Sequence, residues 1–381
     1  MSRIAIFTNS IYSLGGEQRV VCIMANEFAK VHDVTVYTMD SPEKTEDYYG
    51  LTSKVAVEHY LPYQGDRVSF CLRALTHLVP IMVYDWWPEL LERAYCYDKY
   101  ANEMLEMIEG KYDVVIATAW QLSILLGKAR KKTGTKFYAI GWEHSSYEAY
   151  FETKYFYLYK HKELFVNNVK NLSEIIVLNE DYSEKYRKNL GLATKVIYNP
   201  ISFWNDEKAK LYNKQFITYG RLDKCKGYDL LLEAFAIFSK NEKEWILKIA
   251  GTGKQERSLK KKARKLGVQN RVLFVGYERN VRKLLLESSA FLLTSRFEGF
   301  PMCAIEACEA GLPVIAFDIP AMIPFKTHEA ANVVECFDVE AYSKEMKRIA
   351  NSYTMRYTMG KKALNFAEQL KANEIVKNWS V

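Results

Sequence analysis

The chain has 381 residues, of which 49% are hydrophobic, 26% charged and 14% aromatic, with 18 Gly and 9 Pro; these values exclude disordered, collagen-like and low-complexity classes and leave room for two domains with their own cores. The formal charge of +7 is unevenly placed, since residues 1–200 hold 23 Lys and Arg against 25 Asp and Glu, while residues 201–381 hold 30 against 21. A basic second half suits a phosphorylated small molecule, an acidic lipid or nucleic acid, and the count alone does not choose among them.

Short runs rich in Val and Ile alternate with helical periodicity along nearly the whole chain, the pattern of βα units around a parallel sheet. The first strand is predicted over 3–8, an apolar run too short for a signal-peptide core. Gly15 and Gly16 follow it and open a helix whose Val20, Met24 and Phe28 recur at i+4. The Gly-Gly loop is not Gly-x-Gly-x-x-Gly, so a dinucleotide oxidoreductase loses its main support. Further strands are predicted over 33–37, 113–117 and 136–140. The apolar stretch 78–84 is interrupted by Pro80 and falls far short of the ~20 residues that span a bilayer. Residues 67–108 include Trp86 and Trp87, and residues 147–162 interleave aromatics with Lys154, Lys160 and Lys162. Such segments suit either contact with an anionic membrane or aromatic core packing. His144 follows the strand 136–140, where a side chain at a carboxyl end can meet a ligand. Strands over 174–178 and 195–198 end the first half, and Asn199-Pro200 opens a polar stretch with no period, the expected linker.

In the second half, strands are predicted over 215–219, 245–250, 271–275, 290–294 and 313–317. Between the first of them and the helix predicted over 228–239 lie Gly220, Arg221, Leu222, Lys226 and Gly227. A guanidinium forks two N–H bonds onto a phosphate and an ammonium adds a point charge. Glycine turns at Gly251-Thr252-Gly253 and Gly276-Tyr277 close the next two strands. The basic run 254–265 is expected to be the solvated face of a helix. After the strand 290–294 come Glu298, Gly299, Phe300 and Pro301, and Pro301 suits the first turn of a helix running to about residue 310. Such a start offers free N–H groups to a phosphate, whereas Glu298 and Glu306 are better matched to the hydroxyl groups of sugars.

Glu298-x7-Glu306 with Gly299-Phe300-Pro301 resembles the signature of the retaining glycosyltransferases of family four, and so do the Gly220-to-Gly227 element, the Gly15-Gly16 loop and His144, in that order. The resemblance covers most of the chain, best in the second half and hardly at all over 41–110. It implies an α/β GT-B fold, two Rossmann-like doubly wound parallel-sheet domains facing across a cleft, with an acceptor-side domain over 1–200, a nucleotide-sugar domain over 201–355 and a C-terminal helix over 356–381 crossing back to the first domain. It implies a hexosyltransferase that needs no metal or other cofactor, with a UDP-sugar donor and a saccharide or lipid-linked saccharide acceptor in bacterial capsule, exopolysaccharide or lipopolysaccharide synthesis. Glu298, His144, Arg221 and Lys226 would be the catalytic set. Gly15, Gly16, Arg221, Lys226, Tyr277, Val281, Gly299, Phe300, Pro301 and Glu306 would bind the donor, with Glu306 on the ribose hydroxyls.

No Asp-x-Asp, P-loop or Gly-x-Ser-x-Gly pattern is present. The seven cysteines are scattered and never form Cys-x-x-Cys, which fits a reducing cytosol, with a place on the inner face of the plasma membrane as the alternative. No nucleic-acid partner is expected. A non-catalytic nucleotide-sugar-binding partner of another transferase and a sugar-nucleotide epimerase are the competing functions.

Overall fold

The computed structural model describes residues 1–60, 92–95, 97–134, 136–153, 158 and 161–381. Two compact units emerge, unit 1 comprising Met1–Pro200 with Ala372–Val381 and unit 2 comprising Ile201–Lys371.

Unit 1 is built on β1 (Arg3–Thr8), β2 (Asp33–Thr38), β3 (Val55–His59), β4 (Val114–Thr118), β5 (Tyr138–Trp142), β6 (Glu174–Val177) and β7 (Lys195–Val196). All pair in parallel in the order β3-β2-β1-β4-β5-β6-β7. The central strands are apolar on both faces because helices cover both: every residue of β4 is buried, as is β1 apart from Arg3. Unit 2 repeats the plan with β8 (Gln215–Tyr219), β9 (Ile246–Ala250), β10 (Val272–Gly276), β11 (Ala290–Leu293), β12 (Val314–Phe317) and β13 (Ala331–Val334), in the order β10-β9-β8-β11-β12-β13. In each sheet the order reverses beside the first strand, between β1 and β4 and between β8 and β11, and ligands of such sheets bind outside the carboxyl ends at that point.

β3 and β13 were not foreseen from the sequence, and both are edge strands. The expected C-terminal helix over 356–381 is also corrected. The helix Tyr353–Gln369 stays in unit 2, where it buries Ala363, Phe366 and Ala367, and the chain returns to unit 1 only from Ala372. That return is anchored by Trp379, whose ring meets Phe28 at 5.3 Å and Trp142 at 4.7 Å between centroids.

The described aromatics of 147–162 are core: Tyr147 and Tyr150 are buried, and Phe151 packs edge-on against Phe165 and Tyr186. Within 67–108, the helix Tyr97–Ile108 buries Tyr97, Ala101, Met104 and Ile108. Trp86, Trp87, Lys154 and Lys160 lie outside the described residues. The polar stretch after Pro200 is strapped to unit 2. The fully buried carboxylate of Glu309 accepts from the Asn205 backbone N–H (2.8 Å), Lys208 (2.7 Å) and Arg282 (2.6 Å).

Candidate active site

At the switch point of unit 2, β8 runs into Gly220 (φ 148°), then Arg221, a short 3-10 turn over Lys224–Lys226, and Gly227 (φ 64°), which opens the helix Tyr228–Phe238. The loop is fixed from below. Gly220 N–H donates to Ala250 O at 3.0 Å and Leu222 N–H to Thr252 O at 2.8 Å. Gly251 and Gly253 are required by close approach, since a Cβ on either would stand 2.0 Å from Gly220 O or 2.5 Å from Leu222 O. The glycine turn after β9 is therefore the bed of the Arg221 loop.

From the other side comes the segment after β11. Arg296 staples the two loops, donating its guanidinium to Asp229 at 2.9 and 2.8 Å and to Lys224 O at 2.7 Å. Lys226 Nζ thereby reaches Glu298 Oε1 at 2.6 Å, and Ser295 Oγ donates to the same oxygen at 2.6 Å. Burial pushes the Lys226 pKa down, but the Glu298 carboxylate outweighs it and holds the ammonium above its usual range. Arg221 lies on the rim of this group, its side chain 79% exposed and its Nε 3.2 Å from Asp223. Three of the four expected catalytic side chains are thus placed on two loops flanking one switch point.

Gly227 carries this junction. A Cβ there would lie 1.9 Å from Thr294 O, in a backbone conformation that favours glycine. Gly227→Ala is expected to lower the free energy of unfolding by about 2–4 kcal/mol in urea titration, from the left-handed backbone and the clash together.

The helix Met302–Glu309 has Pro301 as its N-cap residue, one position before the expected first turn. The side chain of Phe300 is buried and its ring packs on Phe325 at 5.6 Å, which leaves its backbone as the part that can face a donor. Glu306 is fully buried, accepting from Ser202 Oγ at 2.5 Å and from the Tyr219 hydroxyl, so a ribose would have to compete with those donors. Gly299 lies between Glu298 and Phe300, partly exposed. Tyr277, just past β10, is exposed, and Val281 begins the helix Val281–Leu286.

In unit 1, Gly16 begins the helix Gly16–Phe28 beyond β1, with Gly15 extended as its N-cap. Asp40, at the end of β2, holds the intervening loop through Ser10 Oγ (2.7 Å) and the Ile11 and Tyr12 N–H groups (2.8 and 3.1 Å). Burial pushes the Asp40 pKa up, and Lys44, Ser10 and these backbone donors overcome it, keeping the carboxyl ionised well below the usual range. Tyr49 closes the loop, its hydroxyl accepting from Gly15 N–H at 2.8 Å. Ala119, at the end of β4, has φ 73°, a conformation costly for alanine and placed at this unit's switch point.

His144 does not stand open beyond β5 as expected. Its ring leans on Trp142, 4.3 Å between centroids, and neither ring nitrogen has a hydrogen-bond partner among the described residues. Burial pushes its pKa down to about 3. Beside it Glu143 is buried and accepts from Ser123 Oγ at 2.6 Å. Burial pushes its pKa up to about 7, with Ser123 and Tyr150 opposing and the Glu17 carboxylate adding to the rise. Both groups are therefore neutral over much of the acidic range.

Glu143, Glu309, Arg296, Ser295, Tyr219 and Asp40 were not foreseen from the sequence; the one available signal was adjacency, of Glu143 to His144 and of Ser295 and Arg296 to Glu298. Among the described residues no group of three or more His, Cys, Asp or Glu side chains is placed to hold a metal ion, and no helix is long and apolar enough to cross a membrane.

Residues 203–366 match the model of a protein family described as glycosyl transferases group 1. Over its whole length the chain is 26% identical to an uncharacterized glycosyltransferase of Haemophilus influenzae, covering 100% of this chain and 99% of that one. It is 29% identical to the lipopolysaccharide 1,6-galactosyltransferase of Salmonella typhimurium over 55% of this chain and 57% of that relative. Among solved structures it is similar to a TarM variant of S. aureus in complex with fondaparinux, alpha-GlcNAc-glycerol and UDP, with a TM-score of 0.74, 14% identity and coverage of 100% and 99% of the two chains. Such neighbours establish the fold as GT-B, with two Rossmann-like parallel-sheet units.

Proposed function

We propose that this chain is a retaining glycosyltransferase of family four that moves a hexose or N-acetylhexosamine from a nucleotide diphosphate sugar, a UDP-sugar by preference, to a saccharide acceptor in the assembly of a bacterial surface polysaccharide. The observation that carries the proposal is the convergence of Lys226, Glu298 and Ser295 from two loops that flank the β8/β11 switch point, with Arg221 at the rim. The family match supports it by falling on the unit that holds these residues. The galactosyltransferase relative and the UDP-bound structural neighbour support the donor class and the polysaccharide setting.

In this mechanism the bond from the anomeric carbon to the diphosphate oxygen breaks, and the acceptor hydroxyl attacks on the same face. The hydroxyl proton passes to the departing phosphate oxygen. Negative charge grows on the diphosphate as the bond opens, and Lys226 and Arg221 are cations suited to receive it without a resident metal. Glu298, anchored by Ser295, orients donor-sugar hydroxyls while Lys226 turns to phosphate. Glu306 takes the ribose hydroxyls in exchange for its Ser202 and Tyr219 contacts. The family resemblance gives His144 a role at the donor sugar, its ring being neutral and without a hydrogen-bond partner among the described residues, and acceptor selection is assigned to unit 1.

The test is calorimetric titration of uridine and guanosine diphosphates and their sugar conjugates in a buffer containing a chelator. One nucleotide should bind to the wild type, and Arg221→Ala should lose most of that binding, a charge-assisted contact being worth about 1.5–3 kcal/mol, or roughly 10–150-fold. Absence of binding for every nucleotide would overturn the proposal.

A further inference from the structure

The chain leading into His144 is fixed by backbone hydrogen bonds, Ala119 N–H donating to Trp142 O at 3.1 Å and Glu143 N–H to Ile176 O at 2.9 Å. The imidazole has no comparable tether, since neither of its nitrogens has a hydrogen-bond partner among the described residues. With the backbone held, rotation about the side-chain torsions remains, and a ring without hydrogen bonds takes the rotamer that its packing allows. The ring it packs on is that of Trp142, 4.3 Å between centroids and tilted by 49°.

Trp142 is likewise placed by packing, its buried Nε1 having no partner among the described residues. The ring of Trp379 meets it at 83° between planes, and Trp379 in turn meets Phe28 at 75°. Edge-to-face contacts are a preferred geometry of aromatic pairs, and they set the angle of a ring as well as its position. Phe28 is the fully buried last residue of the helix that begins at Gly16. Phe28, Trp379, Trp142 and His144 therefore form a column that starts on this helix and ends at the imidazole. Within the column Trp379 is the member that comes from neither the helix nor the β5 segment. It arrives on the C-terminal stretch, which is fastened on either side of it by the buried Ile375 and by Ser380 Oγ, an acceptor for Lys195 at 3.1 Å.

We propose that Trp379 is a positioning residue for His144, orienting the imidazole through Trp142, a role that rests on the reading of His144 as a group at the donor sugar. Trp379 touches no substrate in this scheme, and it lies 235 residues from His144 in the chain. What the column requires at this place is a flat ring. Phe keeps an aromatic face and edge for Trp142, whereas Leu fills space without fixing an angle.

The experiment compares Trp379→Phe and Trp379→Leu in the full chain, with circular dichroism to verify that both are folded. The first readout is the imidazole resonances of His144 in protein carrying isotope-labelled histidine, assigned by their loss in His144→Gln. The ring current of Trp142 shifts these resonances according to angle and distance, so Trp379→Leu should move them and Trp379→Phe should leave them close to wild type. The second readout is release of UDP from UDP-glucose, UDP-galactose and UDP-N-acetylglucosamine, with water in place of the acceptor. Trp379→Leu should lower kcat by about 10-fold to 10²-fold with little change in KM, the scale for a reacting group misplaced by ~1 Å, and Trp379→Phe should recover most of it. Trp379→Leu combined with His144→Gln should be no slower than His144→Gln alone, because one effect passes through the other. His144 resonances unmoved in Trp379→Leu would overturn the proposal, whatever the stability of the variant. So would losses that multiply in the double variant, the mark of a structural role independent of His144. Wild-type turnover in His144→Gln, or no release of UDP by the wild type, would count against the proposed function instead, and the resonances alone would then decide on Trp379.

Discussion

Lys226→Met is expected to lower turnover by about 10²–10³-fold, the usual cost of removing one group that stabilises developing negative charge. The same substitution also strands Glu298. The two side chains are 20% and 11% exposed and meet at 2.6 Å, and breaking a largely buried pair from one side typically costs about 3–5 kcal/mol of stability. A loss of activity could then be a loss of folded protein, so the informative companion is Lys226→Met with Glu298→Leu. Exchanging both charges for apolar groups is often close to neutral for stability, while it removes both the cation for the diphosphate and the carboxylate for the sugar. Urea unfolding should show the double variant recovering most of the stability lost in the single one, with turnover still depressed. Recovery of turnover along with stability would make the pair a structural clasp and take Lys226 out of the chemistry.

How much of this was legible beforehand follows from where the stabilising contacts lie along the chain. The buried central strands announce themselves because helices cover both faces and the residues run apolar, as through residues 114–117 of β4 and all of β11. Edge strands have a weaker pattern: β3 alternates buried and exposed positions through Val55–His59, and β13 has a single buried residue among four. Glycine turns are visible in the sequence, but not what they pack against. That Gly227 must clear Thr294 O, and Gly251 must clear Gly220 O, is decided by the β8, β9 and β11 neighbourhood. The same holds for buried charge. Glu309 looks like a surface residue three positions beyond Glu306, and becomes a buried anchor only when Lys208 and Arg282 arrive from 101 and 27 residues away. His144 was legible as a residue at a strand end, but its enclosure against Trp142 is a tertiary fact, and so is the burial of Glu143 beneath Ser123.

That enclosure gives Glu143 and His144 opposite effects on stability as pH changes. Burial raises the Glu143 pKa from 4.5 to about 7. Between those values the unfolded carboxyl has released its proton while the folded one keeps it, so its contribution to stability is fully present below about pH 4.5 and lost as pH rises towards 7. The loss amounts to roughly 3 kcal/mol at about 1.4 kcal/mol per pH unit. Burial lowers the His144 pKa from 6.5 to about 3. Here the unfolded imidazole takes up a proton that the folded one refuses, so stability is present above 6.5 and lost as pH falls towards 3. Where the two ranges overlap, the slopes cancel in the wild type, and only variants reveal them. Glu143→Gln keeps the hydrogen-bonding shape without the titration, and its stability relative to wild type should climb from pH 4.5 to 7 and then level off. His144→Gln should gain on wild type in the other direction, from pH 6.5 down towards 3. Groups elsewhere, such as Asp40, titrate equally in variant and wild type and drop out of each difference. Urea unfolding across this range distinguishes the outcomes, since flat differences for both variants would mean that water reaches the pair and that neither group is held neutral by the fold.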